Sequence, residues 1–147
     1  MRKFYLYIII GIGLLLTACD MESSDNGNLD GFWQMTSKTD HYAKIGAVDM
    51  RDSGITWAFQ GKLLELRDVK KVNQDIHGNF EHQGGTLSVS HFYLVDRDKG
   101  DILIDDAIFY LVPYGVGHVQ EKFKVVELNS SEMILESERF LLKFRKY

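Results

Sequence analysis

The chain has a single cysteine, Cys19, and a single proline, Pro113, among its 147 residues. One cysteine excludes a disulfide framework within the chain. Long apolar runs are also scarce, because the longest, residues 4–16 (FYLYIIIGIGLLL), is too short to span a bilayer comfortably. Internal repeats are absent, which excludes a repeat architecture. The remaining composition is that of one ordinary folded domain.

Motifs for common enzyme chemistry are missing as well. There is no G-x-S-x-G nucleophile elbow. The histidines His77, His82 and His91 lack the short spacing of a zinc site. Residues 96–101 (DRDKGD) resemble a calcium loop only superficially, because no glutamate stands at the twelfth position and two basic residues interrupt the loop. We therefore predict a protein that is not an enzyme and that binds no metal or cofactor.

The amino terminus has the order of regions found in an export signal. A basic start, Met1-Arg2-Lys3, precedes the apolar run, and small residues follow it. Leu16-Thr17-Ala18-Cys19 resembles the lipobox of bacterial lipoproteins, in which the cysteine is lipidated and the peptide bond before it is cut. This resemblance implies a signal peptide at residues 1–18 and a lipid anchor on Cys19. The expected location is the cell envelope, at the outer membrane, on its periplasmic or surface face.

A polar, acidic segment follows the cysteine. Residues 20–28 (DMESSDNGN) have almost nothing to bury, so residues 19–30 are predicted to form a flexible tether. Acidic residues directly after a lipidated cysteine resemble a surface-export signal of some Bacteroidetes lipoproteins, and they suit an ordinary linker equally well. The folded domain is then expected to span residues 31–147.

Basic side chains are too few in the mature chain, residues 19–147, for nucleic-acid binding. Of the 17 Lys and Arg residues, Arg2 and Lys3 belong to the signal, so 15 remain in the mature chain against 21 Asp and Glu, a net charge of −6. Neutralising phosphates requires a cluster of basic residues, and none is visible in the sequence. We predict no nucleic-acid partner and little attraction to an anionic membrane surface.

Apolar residues in the domain mostly alternate with polar ones, which indicates β-strands. Two hairpins are predicted, one around Gln60-Gly61 and one around Gly84-Gly85, and three further strands from residue 121 to residue 147. In the strand at 86–94, the alternation puts His91 and Tyr93 on the same side as Leu87 and Val89. Residues 38–54 and 96–101 are expected to be loops.

Residues 108–117 are the exception to this alternation. They are apolar and contain Pro113 and two glycines, so a short helix or an irregular plug is expected there. The strand count and the near absence of helix predict an all-β fold, most simply an antiparallel up-and-down β-barrel of about eight strands, since closure leaves no free edge.

Gly31-Phe32-Trp33 resembles the G-x-W signature of lipocalin and calycin barrels. The domain as a whole resembles the small lipocalin-like lipoproteins of Bacteroidetes, in residues 30–34 (DGFWQ), 55–60 (ITWAFQ), 113–116 (PYGV) and 142–147 (LKFRKY). The resemblance implies that Gly31 and Trp33 close one end of the barrel and that a basic side chain near the end of the last strand covers the tryptophan. Arg145 is the best match for that role.

Two functions remain open. In the first, the barrel holds a small apolar or amphipathic ligand, and its cavity walls are aromatic side chains. The candidate wall residues are Trp57, Phe59, Phe92, Tyr93, Tyr110 and Tyr114. In the second, these aromatics fill the interior, and the loops at 38–54 and 96–101 bind or inhibit another envelope protein.

Overall fold

The computed structural model describes residues 26–147. The predicted signal at residues 1–18, Cys19 and residues 20–25 of the predicted tether lie outside the described residues. The prediction of a flexible tether was wrong for residues 26–30, because Gly27–Leu29 form a 3₁₀ turn and Leu29 is buried in the core. Ten strands are present, and their bounds are β1 Gly31–Asp40, β2 Val48–Asp49, β3 Ile55–Gln60, β4 Leu63–Asp68, β5 Ile76–Gln83, β6 Thr86–Leu94, β7 Ile102–Leu103, β8 Glu121–Leu128, β9 Glu132–Glu136 and β10 Phe140–Lys146. The helical residues form three short 3₁₀ turns at Gly27–Leu29, Ile108–Tyr110 and Val112–Tyr114. No helix within residues 26–147 is long and apolar enough to cross a membrane.

Eight of the strands close into one antiparallel barrel. Its order is β1-β3-β4-β5-β6-β8-β9-β10, and β10 pairs with β1 to complete the circle. The two-residue strands β2 and β7 pair with β1 and β6 at the margin. The predicted all-β barrel and both predicted hairpins are confirmed. The second hairpin turns at Gly84 and Gly85, whose φ angles of 58° and 77° favour glycine.

The barrel has two distinguishable ends. At the proximal end, where the described chain begins, lie the 3₁₀ turn at Gly27–Leu29, the β3–β4, β5–β6 and β8–β9 turns and the carboxyl terminus. At the distal end lie the long connections at residues 41–54, 69–75 and 95–120 and the β9–β10 turn. A tether at the amino terminus therefore attaches to the proximal end.

A β-bulge in β1 changes which side chains face the interior. Met35 pairs with Phe144 and Ser37 with Lys143, so Thr36 is an extra residue. Beyond it Lys38 lies opposite Leu142. Residues directly opposite in an antiparallel pair share a face, so Lys38 faces inward. The prediction that a loop starts at residue 38 was therefore wrong, because pairing with β10 extends β1 to Asp40.

Candidate functional site

Trp33 closes the proximal end of the barrel. Its side chain is fully buried, and its Nε1 donates a 2.8 Å hydrogen bond to the carbonyl oxygen of Leu29. Leu29 is itself buried, so the 3₁₀ turn before β1 packs beneath the indole. Gly31, with φ 107°, lets the chain enter β1 from this turn, and an added Cβ would lie 3.2 Å from Cε of Lys146.

The cation over Trp33 is Lys146, and the assignment of that role to Arg145 was wrong. The Lys146 ammonium lies 5.0 Å from the centroid of the Trp33 ring, and Lys146 is the strand partner of Trp33. Arg145 points outward, and its Nε donates to Oε1 of Gln34 at 2.7 Å. Side chains alternate between the two faces of β10. Phe144 faces the core, so Lys146, two positions later, also faces inward, and Arg145 between them faces outward.

The interior of the barrel is filled with side chains. Trp57, Phe59 and Phe92, three of the predicted wall residues, are buried. The Trp57 ring alone has three aromatic neighbours, with centroid distances of 6.1 Å to Phe59, 5.7 Å to Phe123 and 5.2 Å to Phe144. These tilted and edge-on contacts are those of a packed core. The aromatics therefore serve as core rather than as walls of an open cavity.

Tyr93 is not an interior residue, contrary to expectation. The β5–β6 register passes from Asn79–Ser90 to His77–Tyr93, so β6 carries one extra residue at this point. His91 has a φ of 53°, a left-handed conformation typical of such a bulge. The alternation is reset beyond it, so Phe92 is buried and Tyr93 faces outward, with 36% of its surface exposed.

A plug, residues 104–117, covers the distal end. It contains two 3₁₀ turns, Ile108–Tyr110 and Val112–Tyr114, and Leu111, Tyr114 and Val116 are completely buried in it. The expectation of a short helix or plug at 108–117 is thus confirmed. Tyr110 is only half-buried at the edge of the core, and its ring stacks on the exposed Phe109 with a centroid distance of 4.0 Å.

Polar side chains of the barrel hold the plug in place. The Lys38 ammonium donates to the carbonyl oxygens of Val112 at 3.4 Å and Pro113 at 3.3 Å. Trp57 Nε1 donates to the carbonyl of Tyr114 at 3.0 Å, and the Tyr114 hydroxyl donates to the carbonyl of Gln74 at 2.6 Å. Burial raises the pKa of the Tyr114 hydroxyl, so it remains a proton donor even in alkaline solution.

An ion pair and a buried carboxylate complete this distal mouth. Arg139 Nη2 lies 2.9 Å from Oδ2 of Asp40, and this hydrogen-bonded contact lowers the pKa of Asp40. Glu121 is 5% exposed, and its Oε2 accepts a 2.6 Å hydrogen bond from the backbone N–H of Gly117. Desolvation by burial lowers the pKa of Lys38. The sequence patterns did not identify these charged side chains at the mouth of the barrel. The β1 bulge that turns Lys38 and Asp40 inward has no local signature.

Exposed apolar side chains gather on the distal connections. Most of the exposed large hydrophobic residues lie on these loops or on the short strands within them, namely Tyr42, Ile45, Val48, Val69, Val72, Ile102, Leu103, Ile108 and Phe109. Phe109, at 64% exposure, stands at the tip of the plug. Isolated exposed apolar residues are common on soluble proteins, whereas a concentration at one end is typical of a binding surface.

The outer wall carries a polar groove. It has a volume of about 750 Å³ and runs along β5, β6 and β8, with lining residues that include Glu81, Ser88, Ser90 and Lys122. Within residues 26–147, no three His, Asp or Glu side chains come together in a group that could hold a metal ion.

Comparison with known proteins agrees with this geometry. A lipocalin-like protein from Bacteroides uniformis has 24% sequence identity and a TM-score of 0.59, over 82% of this chain and 100% of that one. An uncharacterized protein from Bacteroides eggerthii has 21% identity and a TM-score of 0.55, over 81% of this chain and 99% of that one. No curated protein is significantly similar in sequence. The sequence profile of the lipocalin-like domain matches residues 14–147, and the chain belongs to that family.

Proposed function

We propose that this protein is a lipid-anchored binding module of the cell envelope whose barrel is solid and whose distal loops bind another envelope protein. The lipocalin-like barrel is a binding type of fold. The observation that carries the proposal is the filled interior beneath a buried plug, combined with apolar side chains exposed on the loops above it. The binding surface is then the outside of the distal end.

The energy of opening the barrel favours the outer surface as the site. Burial of one large apolar side chain contributes about 1.5–3 kcal/mol, so exposing Leu111, Tyr114 and Val116 costs roughly 5–9 kcal/mol. A ligand that had to displace the plug would lose roughly 10⁴- to 10⁶-fold in apparent affinity. A partner that binds Phe109 and its neighbours from outside has no such cost.

The distal surface is tested by replacing Ile102 and Phe109 together with serine (I102S/F109S). Loss of two apolar anchors is expected to weaken partner binding by about ten- to a hundredfold. The measurement is cross-linking of the tagged, full-length protein in intact cells, with recovery of each cross-linked envelope protein quantified by mass spectrometry. Val126→Ser, which removes an exposed apolar side chain from β8, is the matched control.

The proposal predicts that one or more envelope proteins are recovered with wild type and with Val126→Ser but not with the double variant. Equal recovery with all three proteins would contradict binding through the distal loops. Thermal unfolding of the double variant should remain close to that of wild type, because both replaced side chains are largely exposed.

The anchor is tested separately by Cys19→Ser. Removing the only thiol removes the site of acylation and therefore the acyl chains that would hold the protein at the membrane. Each methylene of such a chain contributes about 0.8 kcal/mol when it is buried in the bilayer. The variant is expected in the soluble fraction after cell lysis, with an unchanged circular dichroism spectrum. Retention of Cys19→Ser in the membrane pellet would contradict lipid anchoring at this residue.

One observation favours a second function, the binding of an amphipathic anion in the barrel mouth. The donors that face the mouth, Lys38 Nζ and Trp57 Nε1, are satisfied by plug carbonyls, the same kind of acceptor that a ligand carboxylate offers. In this function the plug would be displaced by the ligand. A small molecule that co-purifies with both wild type and I102S/F109S would support it.

A further inference from the structure

An apolar patch lies on the outer wall near the proximal end, and the larger groove beside it extends as far as Val69, at the start of the connection 69–75. It consists of the exposed side chains of Phe32, Leu63 and Tyr147 around the mostly buried Ala58, and we call it the proximal patch. Phe32 and Ala58 are strand partners on the outward face, and the backbone N–H of Tyr147 donates to the carbonyl of Phe32 at 3.1 Å. Phe32 is 51% exposed and Tyr147 76% exposed. The backbones of two exposed aromatic residues are thus hydrogen-bonded to each other on the outer wall, where a folded domain usually has polar groups.

The patch is continuous rather than scattered. Phe32 borders two adjoining grooves, one of about 300 Å³ shared with Thr56, Val69 and Tyr147. The other, of about 80 Å³, is shared with Ala58 and Leu63. Continuous exposed apolar surface on a small domain usually contacts another molecule or a membrane.

Cations border this patch, beside the carboxylates of Glu65 and Asp68 that line the same two grooves. Arg67 lines the larger groove, and its guanidinium is 3.9 Å from the carboxylate of Glu65. Lys62 lies in the β3–β4 turn beside Leu63, and Arg145 projects outward from β10. Aromatic rings with nearby Lys and Arg side chains are the combination that favours the headgroup region of a bilayer.

The path of the chain brings this patch close to the proposed anchor. The Asn26 side chain donates a 2.8 Å hydrogen bond to the carbonyl of Gly61, in the turn that leads to Leu63. Asn26 is seven positions after Cys19, and at about 3.5 Å per residue this length of chain reaches at most about 25 Å. An anchored chain therefore holds the proximal patch within one tether length of the lipid headgroups.

We infer that the proximal patch docks on the surface of the membrane that carries the anchor, with a zwitterionic phospholipid interface as its ligand. This inference rests on the proposed lipid anchor. The tether keeps the patch at a high effective concentration near the bilayer, so a contact too weak to bind a free domain suffices. Phe32, Leu63 and Tyr147 enter the headgroup layer, Lys62 and Arg67 contact phosphates, and the distal loops point away from the membrane.

Hydrogen–deuterium exchange of the full-length lipidated protein in phosphatidylethanolamine–phosphatidylcholine vesicles tests this docking. The amides of residues 61–63 are expected to exchange about threefold or more slowly on vesicles than in the Cys19→Ser protein in solution. F32S/Y147S, still held by its lipid, should lose this protection. Tyr42→Ser removes an exposed aromatic at the distal end and should retain it. Exchange at residues 41–47 should be the same on vesicles and in solution.

The outcomes separate the docking from the anchor. If wild type floats with the vesicles through Cys19 but its turn amides exchange as in solution, the docking is overturned and the anchor stands. Equal protection in wild type and F32S/Y147S also overturns it. If wild type and Cys19→Ser both fail to float, the anchor is wrong and the docking is overturned with it.

Discussion

Replacement of Trp57 by alanine is expected to lower the free energy of unfolding by about 3–5 kcal/mol. The indole is completely buried against Phe59, Phe123 and Phe144, so its loss leaves a cavity that these rings cannot fill. It also removes the Nε1 hydrogen bond to the carbonyl of Tyr114. Urea unfolding followed by circular dichroism at a β-sheet wavelength measures the change without depending on tryptophan fluorescence.

Tyr93→Ala is the matched control for Trp57→Ala. Both residues are large aromatics on barrel strands, but Tyr93 faces outward and keeps a third of its surface exposed. Its replacement is expected to cost about 1 kcal/mol or less. If the two variants were equally stable, Trp57 would border open space, and the barrel interior would return as the candidate ligand site.

Replacement of Gly115 by alanine is expected to destabilise the protein by about 2–5 kcal/mol, from backbone strain and overpacking together. Gly115 has a φ of 81°, a conformation that a side chain disfavours. An added Cβ would also lie 2.5 Å from Cδ2 of Leu142, which is fully buried and has little room to move. Thermal and urea unfolding measure the effect, and faster amide exchange in the plug would locate it.

Gly84→Ala separates the two causes. Gly84 has a φ of 58°, and an added Cβ there has no neighbour within 4 Å, so only the backbone strain of about 1–2 kcal/mol applies. The excess cost of Gly115→Ala over Gly84→Ala measures how rigidly the plug sits on β10. Equal costs would mean that the plug yields easily, which would favour the amphipathic ligand in the barrel mouth.

Local patterns in the sequence determine much of the barrel. The period-two alternation of Phe140, Leu142 and Phe144 indicates a strand, and the glycine pair at the second hairpin indicates a turn. Each of these patterns lies within a few neighbouring residues, so it predicts the strand or turn without knowledge of the tertiary structure. The resemblance to lipocalins is likewise readable in the sequence, and the predictions of an export signal and of lipidation at Cys19 rest on the sequence alone. The same alternation, continued by two residues, selects Lys146 rather than Arg145 as the cation for Trp33.

Only the tertiary structure decided which side chains meet at the mouth of the barrel. Thr36 and the residues around His91 form bulges because their strands pair with β10 and β5, and each bulge reverses the faces of the residues beyond it. Lys38 therefore turns inward and Tyr93 outward. Whether the aromatics leave a cavity depends on how rings from distant strands and the plug fit together. That packing is set by side-chain volumes across the whole barrel, and no short stretch of sequence contains it.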